Sequence, residues 1–377
     1  MTRRPLVLLA ALTVLAACSP REKAVRLAIA MPLTGDVGTE GQGVKRAVEM
    51  AVEQANASKK FPFKLEAIAF DDRADPKEAN NIANLIANDS SVIAVIGHYN
   101  SNCSIPAAQV YNRANLVMVS PASTNPKVTQ QQLESTWYGP RTVFRVVPTD
   151  DVQGPFTADF ATKKLKLKSF AVLHDKTAYG QGLADEFRKR FAADGGQVTG
   201  FDGITIGDKD FKALLTRIKS QNPDAIYFGG LYTEAGLLLK QAREVGYKGK
   251  FFSGDGSKTD SLFDVAGEAA DGAYMTITGI PVEYLPSAKP FLDEYAKRFP
   301  GLSVKPFDHF GYEAANIVLA ALEKSGPDRD KLREVLKSIK YEGVLGTTQF
   351  DDKGDTLNHV ITMTRADAKK RAFPIVQ

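Results

Sequence analysis

The chain has 377 residues, 44% of them hydrophobic and 24% charged, with a formal net charge of +4. At roughly 150 residues per domain that is two or three domains of ordinary globular composition, which excludes disordered, collagen-like and fibrous chains. So small a positive excess gives no footprint for nucleic acid, and two cysteines exclude both a disulfide-rich scaffold and a Cys-based zinc site.

Arg3 and Arg4 precede the apolar stretch Leu6 to Leu15 and the small residues Ala16 and Ala17. This is the pattern of a secretory leader over residues 1–17, too short in its apolar part to span a membrane. Leu15-Ala16-Ala17-Cys18 resembles the bacterial lipobox, in which the cysteine is acylated and becomes the new N-terminus. That implies a lipid anchor on Cys18 and a location in the periplasm or cell envelope, tethered to a membrane.

Beyond the leader, short apolar runs alternate with helical patterns. The runs are Leu27–Met31, Leu65–Phe70, Val92–Ile96, Leu116–Val119, Phe170–Leu173, Ala225–Phe228 and Phe251–Phe252. Val44, Ala47, Val48, Ala51, Val52 and Ala55 mark one helix face, as do Phe211, Leu214, Leu215 and Ile218. Strands apolar throughout, alternating with helices, indicate parallel sheets covered on both faces. The rhythm occurs twice, with a break at Pro148-Thr149-Asp150-Asp151. The expected fold is therefore α/β, with two doubly wound parallel-sheet lobes and a cleft between them. Helices at about 311–324 and 328–340 and a strand at Val360–Met363 follow.

Enzyme signatures fail. Phe252 to Thr259 lacks the Walker spacing, Gly35, Gly38, Gly41 and Gly43 never form G-x-G-x-x-G, and no G-x-S-x-G elbow exists. His98, His174, His309 and His359 lack metal-ligand spacing, so no metal and no cofactor are expected. What remains are polar loops after strands, where open α/β sheets bind ligands. Ile96 to Asn102 and Val119 to Thr124 offer hydroxyls and backbone N–H groups to an anion, or simply cap helices.

These loops stand in a longer series: Phe70 to Lys77, Val95 to His98, Met118 to Thr124, His174 to Gly180, Phe201 to Ile204, Lys209 to Phe211 and Tyr227 to Gly230. Their order and spacing resemble the leucine/isoleucine/valine-binding proteins of ABC transporters, over nearly all of the chain after the leader. The resemblance implies a type I periplasmic binding protein, two lobes joined by a three-strand hinge that close on a free amino acid. Its lobes would be 24–149 plus 277–355 and 150–276 plus 356–377. It implies a monomeric carrier, not an enzyme, whose partners are an amino acid and the permease subunits of the transporter. A ligand-sensing receptor of the amide or chemosensory type on the same fold is the alternative.

Residue by residue, the resemblance implies that Ser101 and Thr124 hold the ligand α-carboxylate and the Ala122 carbonyl accepts from its ammonium. Asp255 stands where a Glu usually pairs with that ammonium, and Tyr179 where an aromatic closes over the ligand. Three positions depart from the pattern: Glu40 and Leu231 replace aromatics, and Asp308 falls in a segment that tends to be apolar or aromatic. If Glu40 and Asp308 face the ligand, a polar or cationic side chain competes with a branched aliphatic one. If they face elsewhere, the branched-chain default stands. The family's disulfide positions carry Ala74 and Asn100, which leaves Cys103 as a small buried hydrophobe.

Overall fold

The computed structural model describes residues 24–376, so the leader and Cys18 lie outside the described residues. The first apolar run forms β1 (Val25–Met31), flanked in parallel by β2 (Leu65–Asp71) and β3 (Val92–Gly97). With β4 (Val117–Ser120) and β5 (Val143–Arg145) they make a five-stranded parallel sheet in the order β2-β1-β3-β4-β5. The crossovers carry α1 (Gly38–Ala57), α2 (Pro76–Asn88) and α3 (Ser101–Arg113), with the single turn α4 (Lys127–Gln130) before β5.

The second lobe repeats the plan. It contains α5 (Asp150–Asp159), β6 (Ser169–His174), α6 (Ala178–Ala193), β7 (Gln197–Gly203), α7 (Lys212–Gln221), β8 (Ala225–Gly229), α8 (Tyr232–Glu244), β9 (Lys250–Ser253), α9 (Ser261–Ala266) and β10 (Tyr274–Thr278). The chain then returns to the first lobe through α10 (Lys289–Arg298), α11 (Asp308–Ser325), α12 (Arg329–Lys337) and the hairpin β11 (Tyr341–Gly343) and β12 (Gly346–Thr348). It crosses back to add β13 (Ile361–Arg365), antiparallel to β10, giving the order β13-β10-β9-β8-β6-β7.

Both sheets are doubly wound. In the first, Val44 and Val48 of α1 pack with Ile317, Val318 and Leu322 of α11 on one face, and Ile82, Ala107 and Tyr111 of α2 and α3 on the other. In the second, Leu215 and Leu238 cover one face and Phe187 and Phe191 the other, with the Phe187 ring stacked 4.0 Å from that of Tyr227. Each fully buried side chain of this kind contributes about 1.5–3 kcal/mol.

Several elements escape apolar-run reading for physical reasons. β7 is a half-exposed edge strand, β10 alternates Thr with apolar residues, and β5 has three residues. The proline-rich stretch after β10 holds α10, where Pro290 sits in the first turn and forfeits no hydrogen bond.

Three strands of chain join the lobes, and a buried ion pair fixes two of them on the first-lobe side. Arg145, fully buried at the end of β5, donates to Asp355 Oδ1 at 2.5 Å and to the carbonyls of Ser123 and Asn125 at 3.0 and 2.8 Å. Burial alone would raise the pKa of Asp355, but the charge of Arg145 and hydrogen bonds from Thr129, Arg145 and Lys353 hold it below the ordinary carboxylate range. One crossover leaves Arg145 and another follows Asp355, so the pair ties both at their roots.

Candidate functional site

The loops at the carboxyl ends of both sheets meet across the cleft, where such sheets bind ligands. They line a cavity with about 260 Å³ of empty space, part of it open to solvent. From the first lobe come Tyr99, Asn100, Ser101, Ala122 and Phe307; from the second, Tyr179, Leu231, Asp255 and Gly256.

Local sequence fixes each loop. Asp72 Oδ2 lies 2.6 Å from His98 Nδ1 and Tyr111 OH 3.0 Å from Nε2, so this histidine is a buried strut. The His98 carbonyl accepts from the hydroxyls of Ser120 at 2.8 Å and Ser123 at 3.1 Å, which binds the two first-lobe loops together. Asn100 and Ser101 then open α3, and no side chain caps that helix. Ser101 Oγ accepts from Asn125 N at 3.2 Å and keeps its proton to donate, while Asn100 Oδ1 is buried without a partner.

In the second lobe Thr177 caps α6 by accepting from Gly180 N at 2.9 Å, and Asp175 fixes Thr177 in turn at 2.6 Å. This aims Tyr179 across the cleft floor. Its hydroxyl accepts from Gly256 N at 2.9 Å and donates to Asp255 Oδ1 at 3.0 Å. A Cβ on Gly256 would come within 2.8 Å of that hydroxyl, so the glycine is what lets Tyr179 approach.

Asp255 is 6% exposed. Gln153 Nε2 donates to its Oδ1 at 2.7 Å, and Gln153 Oε1 accepts from its backbone N–H at 3.1 Å. Burial raises its pKa, and the hydrogen bonds from Gln153 and Tyr179 only partly offset that. Among the described residues no cation pairs with it. Behind it Asp150 is fully buried, its pKa raised well above the ordinary value by burial and then by repulsion from Asp255. The Thr124 hydroxyl lies beside Asp150, outside good hydrogen-bond geometry yet close enough to favour its ionised form.

Ser101, Ala122, Tyr179, Leu231 and Asp255 thus share one cavity, and Thr124 is buried two residues beyond Ala122. Glu40 and Asp308 do not line it. Glu40 Oε1 accepts from Thr259 Oγ1 of the opposite lobe at 3.0 Å, its Oε2 is buried without a partner, and burial raises its pKa. Asp308 Oδ2 accepts from Tyr295 OH at 2.9 Å and Lys305 N at 3.0 Å. Its carboxyl, pushed up to about 7 by burial, packs against Gly43 of α1, where any Cβ would meet Oδ1 at 2.1 Å. The rest of the cavity wall is largely apolar: Tyr99 stands edge-on to Phe307 at 5.3 Å, with Leu231 opposite. Tyr99 and Asn100 lie in a polar loop already conspicuous in the sequence, but Phe307 and Gln153 carry no sequence signal of their own. Cys103 is fully buried, as expected of a small hydrophobe.

Residues 24–371 match the family model described as periplasmic binding protein. The chain belongs to the periplasmic binding protein family. It is 34% identical over 344 residues to the leucine-, isoleucine-, valine-, threonine- and alanine-binding protein of Pseudomonas aeruginosa, covering 90% of this chain and 89% of that one. The leucine-binding protein of Thermotoga maritima superposes with a TM-score of 0.83 at 32% identity, over 94% of this chain and 98% of that one. The isoleucine-bound branched-chain amino acid transporter substrate-binding protein of Streptococcus pneumoniae gives 0.83 at 25%, over 94% and 99%. The family is one of solute-binding proteins rather than enzymes, and periplasmic or envelope placement goes with it. Among the described residues no helix is long and apolar enough to cross a membrane.

A carboxylate whose pKa is raised by burial becomes a better base for a bound ammonium once ionised, so ligand affinity should fall as pH drops through the raised pKa of Asp255. Calorimetry across the acid range should show this for the wild type. Asp255→Asn should flatten the dependence and weaken binding by about 3–5 kcal/mol at neutral pH, the usual scale for leaving one buried charge unpaired.

Proposed function

We propose that this protein captures a free amino acid with an aliphatic side chain in the cleft and delivers it to the permease of an ABC transporter. The observation that carries the reading is Asp255: a buried carboxylate with no cation among the described residues, in a cleft wall that it shares with Tyr99, Leu231 and Phe307. A ligand ammonium supplies the cation. Ser101, Thr124 and Asn100 offer polar groups on the first-lobe side, where Ser101 and Thr124 would hold the α-carboxylate and the Ala122 carbonyl the ammonium. Tyr179 closes over the ligand from the second lobe.

The side chain then meets Tyr99, Phe307 and Leu231. With Glu40 engaged by Thr259 and Asp308 by Tyr295 and Lys305, the wall favours a branched aliphatic group over a polar or cationic one. Burying a charged side chain against it without a partner would cost several kcal/mol. The relatives whose names specify leucine, isoleucine and valine support the same class.

In this reading 24–149 with 277–355 moves as one lobe and 150–276 with 356–377 as the other. The carrier acts as a monomer, held to a membrane by acyl chains on Cys18.

A thermal-shift screen of the twenty amino acids should give the largest stabilisation with leucine, isoleucine and valine. A larger shift with lysine, arginine or glutamine would contradict the apolar wall. Wild-type protein should incorporate labelled palmitate in a bacterial host, and Cys18→Ala should not; incorporation by the variant would remove the lipid anchor.

A further inference from the structure

Beyond Phe307 lies a second cavity, with about 620 Å³ of empty space, part of it open to solvent. It shares only Asp255 and Phe307 with the wall of the first. Both lobes build it: Lys258 follows β9, Ile277 lies near the end of β10, Val304 precedes α11 and His309 stands in its first turn.

Two basic side chains in this wall find no hydrogen-bond acceptor among the described residues. His309 is 3% exposed, and neither ring nitrogen makes a hydrogen bond. Burial pushes its pKa down to about 3, so it is a neutral ring with one N–H to donate. Lys258 Nζ meets no acceptor; it lies 5.6 Å from the centre of the Phe373 ring, and burial lowers its pKa. Three carboxylates share this wall, Asp255, Asp260 and Glu283, and the last two act on Lys258 through their charge without accepting a hydrogen bond from it. Asp255 is held by Gln153 and Tyr179, Asp260 Oδ2 lies 4.0 Å from Lys305 Nζ, and Glu283 is exposed.

A buried His309 ring without an acceptor is costly, and a single carboxylate entering the cavity can accept from its N–H and from the half-buried Lys258 ammonium together. We propose that the second cavity receives a carboxylate, held by Lys258 and the ring N–H of His309. Since both lobes line the cavity, an occupant favours the closed cleft and reinforces ligand binding in the first cavity. Two sources supply such a group: a free small carboxylate beside an aliphatic amino acid, or the distal carboxylate of an acidic amino acid reaching past Phe307. The coupling rests on the amino-acid reading above, and the second source keeps its backbone contacts while replacing the aliphatic side chain with an acidic one.

Thermal denaturation of the whole protein without amino acid, in sodium acetate against sodium chloride at equal ionic strength, reads the cavity alone. 2-Aminoadipate, whose side chain ends in a carboxylate, reads the second source. The expected result is a rise in Tm of the wild type with one of these probes, lost in both Lys258→Met and His309→Phe. A rise with acetate means a separate anion; a rise with 2-aminoadipate alone means the ligand's own side chain. No rise beyond chloride with either probe, or a rise retained in both variants, overturns the proposal. Leucine titrated into Lys258→Met should bind as to the wild type, and leucine failing to bind the wild type would overturn only the amino-acid reading.

Discussion

Asp255 brings a carboxylate into a cleft where burial raises its pKa and no cation among the described residues meets it. Leaving such a group ionised and unpaired is unfavourable by several kcal/mol, so it either holds a proton or, in the proposed reading, takes its cation from a ligand. Asn100 Oδ1 and Thr124 Oγ1, buried without partners close by, extend the same condition to the first lobe. The cleft is a set of unmet polar demands around an apolar wall. In the proposed reading a zwitterion with an aliphatic side chain answers them.

The same residues connect the cleft to the joints between lobes. Gln153 stands in the first turn of α5, just after one crossover, and holds both the side chain and the backbone of Asp255. Its Oε1 also accepts from Thr276 Oγ1 at 2.6 Å, on the strand that leads into the next crossover. A cation at Asp255 therefore acts on a group anchored to two of the three connections. Across the cleft, Glu40 with Thr259 and Asn125 Nδ2 with the Ala178 carbonyl at 2.5 Å bridge the lobes directly.

How much of this was legible in sequence depends on what each residue does. The alternation of fully apolar runs with helical faces carried the doubly wound architecture, because strands buried on both faces leave no other pattern. β7 and β10 were not legible, since an edge strand and a Thr-alternating strand lack that run. Ser101, Ala122, Tyr179, Leu231 and Asp255 are brought to one cavity, while Glu40 and Asp308 lie outside it. Their charges suggested a polar wall, but a sequence does not show that Thr259, Tyr295 and the Lys305 backbone occupy those carboxylates. Gln153 was invisible for the converse reason: its role exists only through partners far away in the chain.

The central claim is that both charges of the amino-acid backbone are recognised together in the closed cleft. Calorimetric titration with leucine, N-acetyl-leucine and leucinamide tests it most directly, since each derivative keeps the side chain and removes one charge. Leucine should bind, and each derivative should bind at least about 100-fold more weakly, the scale of a lost charge-assisted hydrogen bond with its partner left buried. Binding of either derivative with the affinity of leucine would contradict it.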